Sequence, residues 1–331
     1  MGVQRVNIEK IKYDGYRIGI PVPFPMKYVY CYLFKQNDGY ALIDVGFNYS
    51  EARETWGKVF DYLSIHFSDI KTIYLTHFHP DHTGLSGWMQ ELTGADVYIH
   101  DIDAEMMERV WGENSVQTLK MKDMILDHGV PEQLSEKIIL HMEKLRKNVL
   151  PLPKMKTIGP EVQFAQRNWK VIHTPGHSSG HVCFYQQDEG VMIAGDMILD
   201  RITPNISVWP GASQNPLHEY MESLRMLKTL TISIAYTSHH SAVEHIDQRI
   251  DELIAHHYER LLKIEELAQG KTAFEVAEVL FSHKNLTPHQ WRFAIAETIA
   301  HLNYLEQENR IEWEGTRPIV YKKRVNVLGQ K

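Results

Sequence analysis

Thr76-His77-Phe78-His79-Pro80-Asp81-His82-Thr83-Gly84 sets three imidazoles and a carboxylate within six positions, directly after the apolar run Ile73-Tyr74-Leu75. That run reads as a buried strand. In extended backbone, side chains two apart point to one side, so His77 and His79 are expected to converge on one ion. Asp81 and His82 fall where the chain leaves the strand and turns towards a second ion. With 19 histidines in the chain, a histidine-rich surface loop is the plain alternative. Donors of metal-ligating type crowded behind a buried strand favour the metal reading.

Working outward, Tyr28 to Phe34 and Tyr40 to Val45 are β-rich runs flanking Gln36-Asn37-Asp38-Gly39, and the Asp-Gly pair predicts a hairpin. A helix is expected over about 50–65, and a short one through Trp88 and Leu92, closed by Gly94. Ala95 to His100 supplies another strand. The stretch 103–148 has helical spacing and many Met, and reads as a helical insertion that folds over the mouth of the site, its methionines being core. Strand patterns return at 162–165, 169–173, 181–185 and 191–195. The fold class is α/β.

Further candidate ligands follow predicted strands, where loops gather at one sheet edge. Asp44 ends Ile43-Asp44, His177 lies in Thr174-Pro175-Gly176-His177, Asp196 follows Ala194-Gly195, and Ser238-His239-His240 follows the run 232–236. In order and local context these segments resemble the metallo-β-lactamase superfamily of hydrolases, from about Gly19 to His245. The resemblance implies a four-layer αββα fold and two divalent metal ions. His77, His79 and His177 would hold one ion. Asp81, His82 and His239 would hold the other, with Asp196 bridging and Asp44 orienting the cluster loop through hydrogen bonds. The last segment departs from the usual Gly-His-Gly. His239, on the rigid side of the turn, is the expected ligand, with His240 the alternative.

Such a site implies a shared water ionised to hydroxide near neutral pH, with Asp81 as the catalytic group that orients it and returns a proton. Zinc is the expected metal, and a thiolate-free donor set also suits iron or manganese. β-Lactam hydrolases of the superfamily often carry Cys near the position of Asp196. An Asp there is more similar to hydroxyacylglutathione hydrolases, lactonases and RNA-processing members. The segments Leu199 to Ile206 and Tyr220 to Leu224 resemble pocket-lining parts of thioesterase-like members. Among the other histidines, His181 is expected to be a hydrogen-bonded core residue, with support of the site from behind the ligands as the alternative. The pair His256-His257 is expected on a solvated helix face, because rings one residue apart on a helix diverge by about 100°.

From about Ile246 helix formers dominate, with Thr272 and Thr287-Pro288 as helix starts and a hairpin expected over 311–321. The chain therefore divides into a catalytic domain, 1–245, and a winged-helix-like domain, 246–331. The latter resembles the C-terminal domain of the β-lactamase-like-protein-2 group, some of whose members cut single-stranded RNA. Small ester or thioester hydrolysis is the expected activity, with single-stranded RNA cleavage as the alternative. A net charge of -7 disfavours polyanions, and the stretch 288–306 carries Arg292 without any Lys. A metal-responsive nucleic-acid binder without turnover is disfavoured for the same reason. The winged helix is expected to serve a homodimer. The first ten residues lack a secretory core and no run reaches the ~18 apolar residues of a membrane span, so the expected address is the cytoplasm, with no membrane partner. Cys31 and Cys183, each in an apolar run, are expected as buried thiols.

Overall fold

The structure, a computed structural model, describes residues 6–113 and 115–324. The reading of the chain's start falls in part on residues 1–5, outside the described residues. The first sheet takes β1 (Asn7–Lys10), β2 (Tyr16–Pro21), β3 (Tyr28–Gln36) and β4 (Gly39–Ile43) as an antiparallel meander. Helix α1 (Ser50–Leu63) then returns the chain to β5 (Ile70–Tyr74), which lies parallel to β4. The β3–β4 hairpin turns at Asn37-Asp38, where Gly39 takes φ 156°. The strands β1 and β2 had no sequence expectation of their own.

The short α2 (Pro80–Thr83) and α3 (Ser86–Thr93) follow, then β6 (Asp96–Ile99), parallel to β5. The insertion is three helices, α4 (Asp101–Trp111), α5 (Gln117–Asp127) and α6 (Glu132–Arg146), before β7 (Met155–Thr157) closes the seven-stranded sheet. The second sheet holds β8 (Glu161–Phe164), β9 (Arg167–His173), β10 (Val182–Gln186), β11 (Val191–Gly195) and, after α7 (Pro216–Leu227), β12 (Ile234–Thr237), in the order β12-β11-β10-β9-β8.

Period-two alternation makes four layers of this. Ala41, Ile43, Val182, Phe184, Val191 and Ile193 face between the sheets in one apolar cluster. There Tyr74 and Phe184 have ring centroids 5.7 Å apart. The residues between them, Leu42, Cys183, Met192 and Ala194, face outward into a second cluster shared with Trp56 of α1 and Leu217, Leu224 and Leu227 of α7. Each such side chain, fully buried, contributes about 1.5–3 kcal/mol. A one-residue slip of either central strand would exchange the two faces. Cys31 and Cys183 are buried free thiols, as the sequence suggests.

The C-terminal segment is α8 (Ile246–Leu267), α9 (Ala273–Leu280), α10 (Pro288–Gln307) and the hairpin β13 (Ile311–Glu314) with β14 (Val320–Lys323). Thr272 and Thr287 cap α9 and α10 reciprocally with Glu275 and Gln290, and Pro288 opens α10. Helix α10 packs against α6, α7, α8 and α9, and its apolar residues belong to the same continuous cluster as the first sheet's outer face. This packing overturns the expectation for His257, which is buried and faces His301 at 3.2 Å. The helix α8 is covered on that side by α10, which the sequence of α8 does not show. Among the described residues, no helix is long and apolar enough to cross a membrane.

Candidate metal centre

The strands β4, β5, β9, β11 and β12 all deliver their C-terminal ends to one edge, and the candidate ligands sit in the turns that follow. Thr76 C=O accepts from the Val182 N–H at 2.9 Å and Gly195 C=O from the Ser238 N–H at 3.0 Å, so backbone bonds hold these loop ends in register. The stretch 76–78 is a bend rather than extended strand. His77 and His79 nevertheless converge, and the bend makes them do so through different ring atoms. His77 Nε2 lies 3.0 Å from His79 Nδ1, which lies 2.9 Å from His177 Nε2. Tetrahedral zinc with ~2.0–2.1 Å bonds would set such nitrogens about 3.3 Å apart, close to this spacing.

Proline at the first position of α2 turns the next two side chains the other way. His82 Nε2 and His239 Nε2 approach Asp81 Oδ2 at 3.8 and 3.3 Å. One oxygen of Asp196, Oδ2, lies 3.4 Å from His177 Nε2, 3.6 Å from His82 Nε2 and 3.5 Å from His239 Nε2. It therefore stands between the two groups. The trios His77-His79-His177, His77-His82-Asp196 and Asp81-His82-His239 each bring their donor atoms close enough to hold an ion. All seven side chains expected from the sequence meet here.

The rings are aimed by bonds on their far sides. Asp44, itself at φ 56°, accepts the Thr76 N–H and Thr76 Oγ1–H at 2.8 Å each and engages His82 Nδ1 at 2.8 Å. His77 Nδ1 meets Thr76 Oγ1 at 3.0 Å, His177 Nδ1 the Asn205 carbonyl at 2.9 Å, and His239 Nδ1 the Tyr28 carbonyl at 3.0 Å. The Asn205 and Tyr28 carbonyls accept from Nδ1–H, which leaves the Nε2 lone pairs of His177 and His239 facing the centre. His240 contributes no donor to the trios; it takes φ 61°, the left-handed region that glycine enters freely, and Arg17 holds its carbonyl.

Burial holds His77, His79 and His177 below the ordinary imidazole range, so these rings are neutral. Burial also opposes charge on His82 and His239, but the Asp196 and Asp81 carboxylates outweigh it. They raise His82 well above its usual value and His239 to about 10. Burial would lift Asp81 and Asp196, yet the facing His82 and His239 hold both below the usual carboxylate range. The buried Nε2 atoms of His82 and His239 and Oδ1 of Asp196 have no hydrogen-bond partner among the described residues. An orphaned buried group costs about 1–3 kcal/mol. Three in one place fit a cation as the missing partner.

One support, Asp103, was absent from the sequence expectations. Asp103, fully buried, accepts the Phe78 N–H at 2.9 Å, the Gly180 N–H at 2.7 Å and the Ser178 hydroxyl at 2.6 Å, tying the His77–His79 turn to the His177 turn. Burial pushes it up to about 6 against those donors. His181 is the buried, hydrogen-bonded residue expected. It adds a role of its own, because its Nε2 accepts the Asp196 N–H at 3.2 Å while Thr174 holds Nδ1 at 2.8 Å. An acidic residue opening the insertion helix was the only signal for Asp103.

A cavity of about 270 Å³ opens over Asp81, Asp196 and His239. Leu199, Ile202, Pro204 and Asn205 line it, as expected, and Trp111 and Leu145 of the insertion wall one side, whereas Met106, Met107, Met121 and Met142 are core. Tyr220 and Met221 do not line it; they are buried, and a Cβ on Gly176 would strike Tyr220. The segment 220–224 therefore backs the His177 turn instead of facing substrate.

The fold and the centre are those of a metal-dependent hydrolase scaffold, and sequence comparison agrees. A family profile described as the metallo-beta-lactamase superfamily matches residues 25–239, and one described as the metallo-beta-lactamase-like C-terminal domain matches 261–322. The chain belongs to the metallo-β-lactamase superfamily. It is 26% identical over 91% of its length to the probable metallo-hydrolase YqjP of Bacillus subtilis, covering 96% of that protein. It is 26% identical over 64% of its length to an atrochrysone carboxyl ACP thioesterase of Aspergillus fumigatus, and this match spans 51% of that enzyme. The crystal structure of a metallo-beta-lactamase family protein from Thermus thermophilus superposes with a TM-score of 0.84 and 35% identity, covering 94% of this chain and 98% of that one.

Proposed function

We propose that the chain is a dinuclear metal-dependent hydrolase that directs an activated water, as hydroxide, onto a small ester or thioester. The observation that carries this reading is the pair of donor sets meeting at Asp196, one of neutral imidazoles and one with unpartnered buried donors. His77, His79 and His177 would hold one ion and Asp81, His82 and His239 the other, with Asp196 shared; zinc suits this nitrogen and oxygen set. Bound there, the ions supply Lewis acidity, which brings the pKa of water from 15.7 to about 7 and polarises a carbonyl oxygen.

The chain's own residues do the rest. Asp81 is the carboxylate whose side chain keeps 15% of its surface exposed to the cavity, so Oδ1 or Oδ2 can accept a proton from the attacking water and return it to the leaving sulfur or oxygen. The apolar wall excludes bulk water from the acyl group. The thioesterase among the relatives supports a carbonyl substrate. The basic cluster at 322–324 gives the RNA reading little support, since two of its three members, Lys322 and Arg324, face Glu314 at 2.5 Å and Glu312 at 3.7 Å. The test is metal analysis of the purified chain beside a panel of thioesters, lactones, phosphodiesters and RNA, repeated with Asp81→Ala. Thioester or ester turnover falling by orders of magnitude in the variant, with the fold intact, is expected; unchanged rates would show that Asp81 has no part in the chemistry.

A further inference from the structure

Helix α10 brings one cation to the cavity wall. Arg292 is 5% exposed, its Nε is buried without a partner, and among the described residues no carboxylate lies within ion-pair distance of its guanidinium. Aromatic rings flank it, the Phe293 centroid at 4.1 Å and that of Trp209 at 4.9 Å, and the His289 and His141 imidazoles stand near enough for its charge to lower both. Trp209 in turn stands 6.3 Å from the His79 ring, so a single indole separates the guanidinium from the metal centre. Cation–π contact only partly replaces the hydration that a buried charge gives up. Arg292 is thus a built cation short of an anion.

We propose that Arg292 binds a carboxylate of the substrate, so that the compound hydrolysed is an apolar ester or thioester bearing one carboxylate remote from the scissile bond. The ester or thioester linkage rests on the hydrolytic reading above; the anion site stands on the geometry of α10. Charge counting selects a carboxylate over a phosphate. The other titratable group that α10 turns to the cavity, His289, is held neutral, down to about 3, by burial and by Arg292 itself, and its partner His141 is lowered as well. One positive charge balances a monoanion and leaves a phosphate monoester half unmatched. The planar fork matches either anion edge-on, so the choice rests on charge. Phe24, Met26 and Leu199 complete an apolar wall around the position that the rest of the acyl chain would take.

The test uses the full chain. Calorimetry on metal-free protein compares hexanoate, hexanamide and hexyl phosphate, so that the centre cannot capture the anion through its ions. Hexanoate is expected to bind about 10- to 100-fold more tightly than hexanamide, the range of a buried charge-assisted hydrogen bond, and Arg292→Met is expected to erase that difference. Kinetics on zinc-loaded protein then compare the hexanoyl and 5-carboxypentanoyl thioesters of N-acetylcysteamine. Arg292→Met should shift the kcat/KM ratio between the two by a similar factor, mostly through KM, and Arg292→Lys should fall between. Equal binding of hexanoate and hexanamide, or a variant that lowers both thioesters equally, would reduce Arg292 to a wall residue and overturn the proposal. Arg292-dependent binding tighter for hexyl phosphate than for hexanoate would overturn the carboxylate assignment. If no thioester turns over, the calorimetry still decides the anion site while the hydrolytic reading alone fails. Should Arg292→Met not fold, Arg292→Lys carries the test: a weakened hexanoate preference is expected, and an unchanged one would overturn the proposal.

Discussion

Replacing Asp44 with Asn probes how the second donor set is aimed. The carboxylate accepts from Thr76 N–H and Thr76 Oγ1–H and meets His82 Nδ1, all at 2.8 Å in a fully buried position. An amide of the same shape keeps one acceptor oxygen and gains a donor. If the NH₂ faces Thr76, it opposes the Thr76 N–H, and two buried donors go unpaired at about 1–3 kcal/mol. If it faces His82, Nδ1 must accept, which moves the ring proton to Nε2, the atom that faces Asp81 and Asp196. A protonated Nε2 has no lone pair for a cation. The first orientation costs fold stability alone. The second keeps the Thr76 N–H bonded to the amide oxygen and is the one expected, and with it the ion held by Asp81, His82 and His239 binds about 10- to 100-fold more weakly, or about 1.4–2.8 kcal/mol. Competition of each of two zinc equivalents against a chromophoric chelator, with melting curves to establish folding, measures this. A folded Asp44→Asn protein that holds both equivalents with the parent's affinity would refute the claim that Asp44 sets the His82 tautomer.

Two further outcomes follow from the same geometry. His239, raised to about 10 by Asp196 and Asp81 against the opposing effect of burial, is charged in the metal-free fold. Its folded value exceeds the ordinary ~6.5, so its contribution to metal-free stability is complete below about pH 6.5 and is lost as pH rises through about 10. Binding a cation expels that proton, so metal affinity should climb over the same window. Metal-free melting temperatures and zinc dissociation constants from pH 6 to 10 report both, and an affinity that does not change with pH would contradict the charged His239. Asp103→Ala strands the Phe78 and Gly180 N–H groups and the Ser178 hydroxyl, which is expected to cost roughly 3 kcal/mol in urea unfolding and to loosen the His77-His79-His177 set. A loss below about 1 kcal/mol would mean that water replaces the carboxylate without consequence.

The chain's local patterns already determined much of this protein. The crowding of His77, His79, Asp81 and His82 behind a strand, the acidic or histidine residue after each later strand, the Asn37-Asp38-Gly39 turn and the capping threonines at 272 and 287 are all short-range features. Residue type and period suffice to read them, because a strand end or a cap is set by neighbours one to four positions away. His239 was the expected ligand from its place in the turn, and the structure bears this out by grouping His239, and not His240, with Asp81 and His82. Packing decided the remainder. Asp103 is joined to Gly180 across 77 positions and His257 to His301 across 44, and Arg292 acquires its meaning only when α10 is laid over the cavity. Burial and partnership are properties of surfaces brought together by the whole fold. A polar residue on a helix carries no mark in its own sequence of whether water, a carboxylate or a substrate will face it.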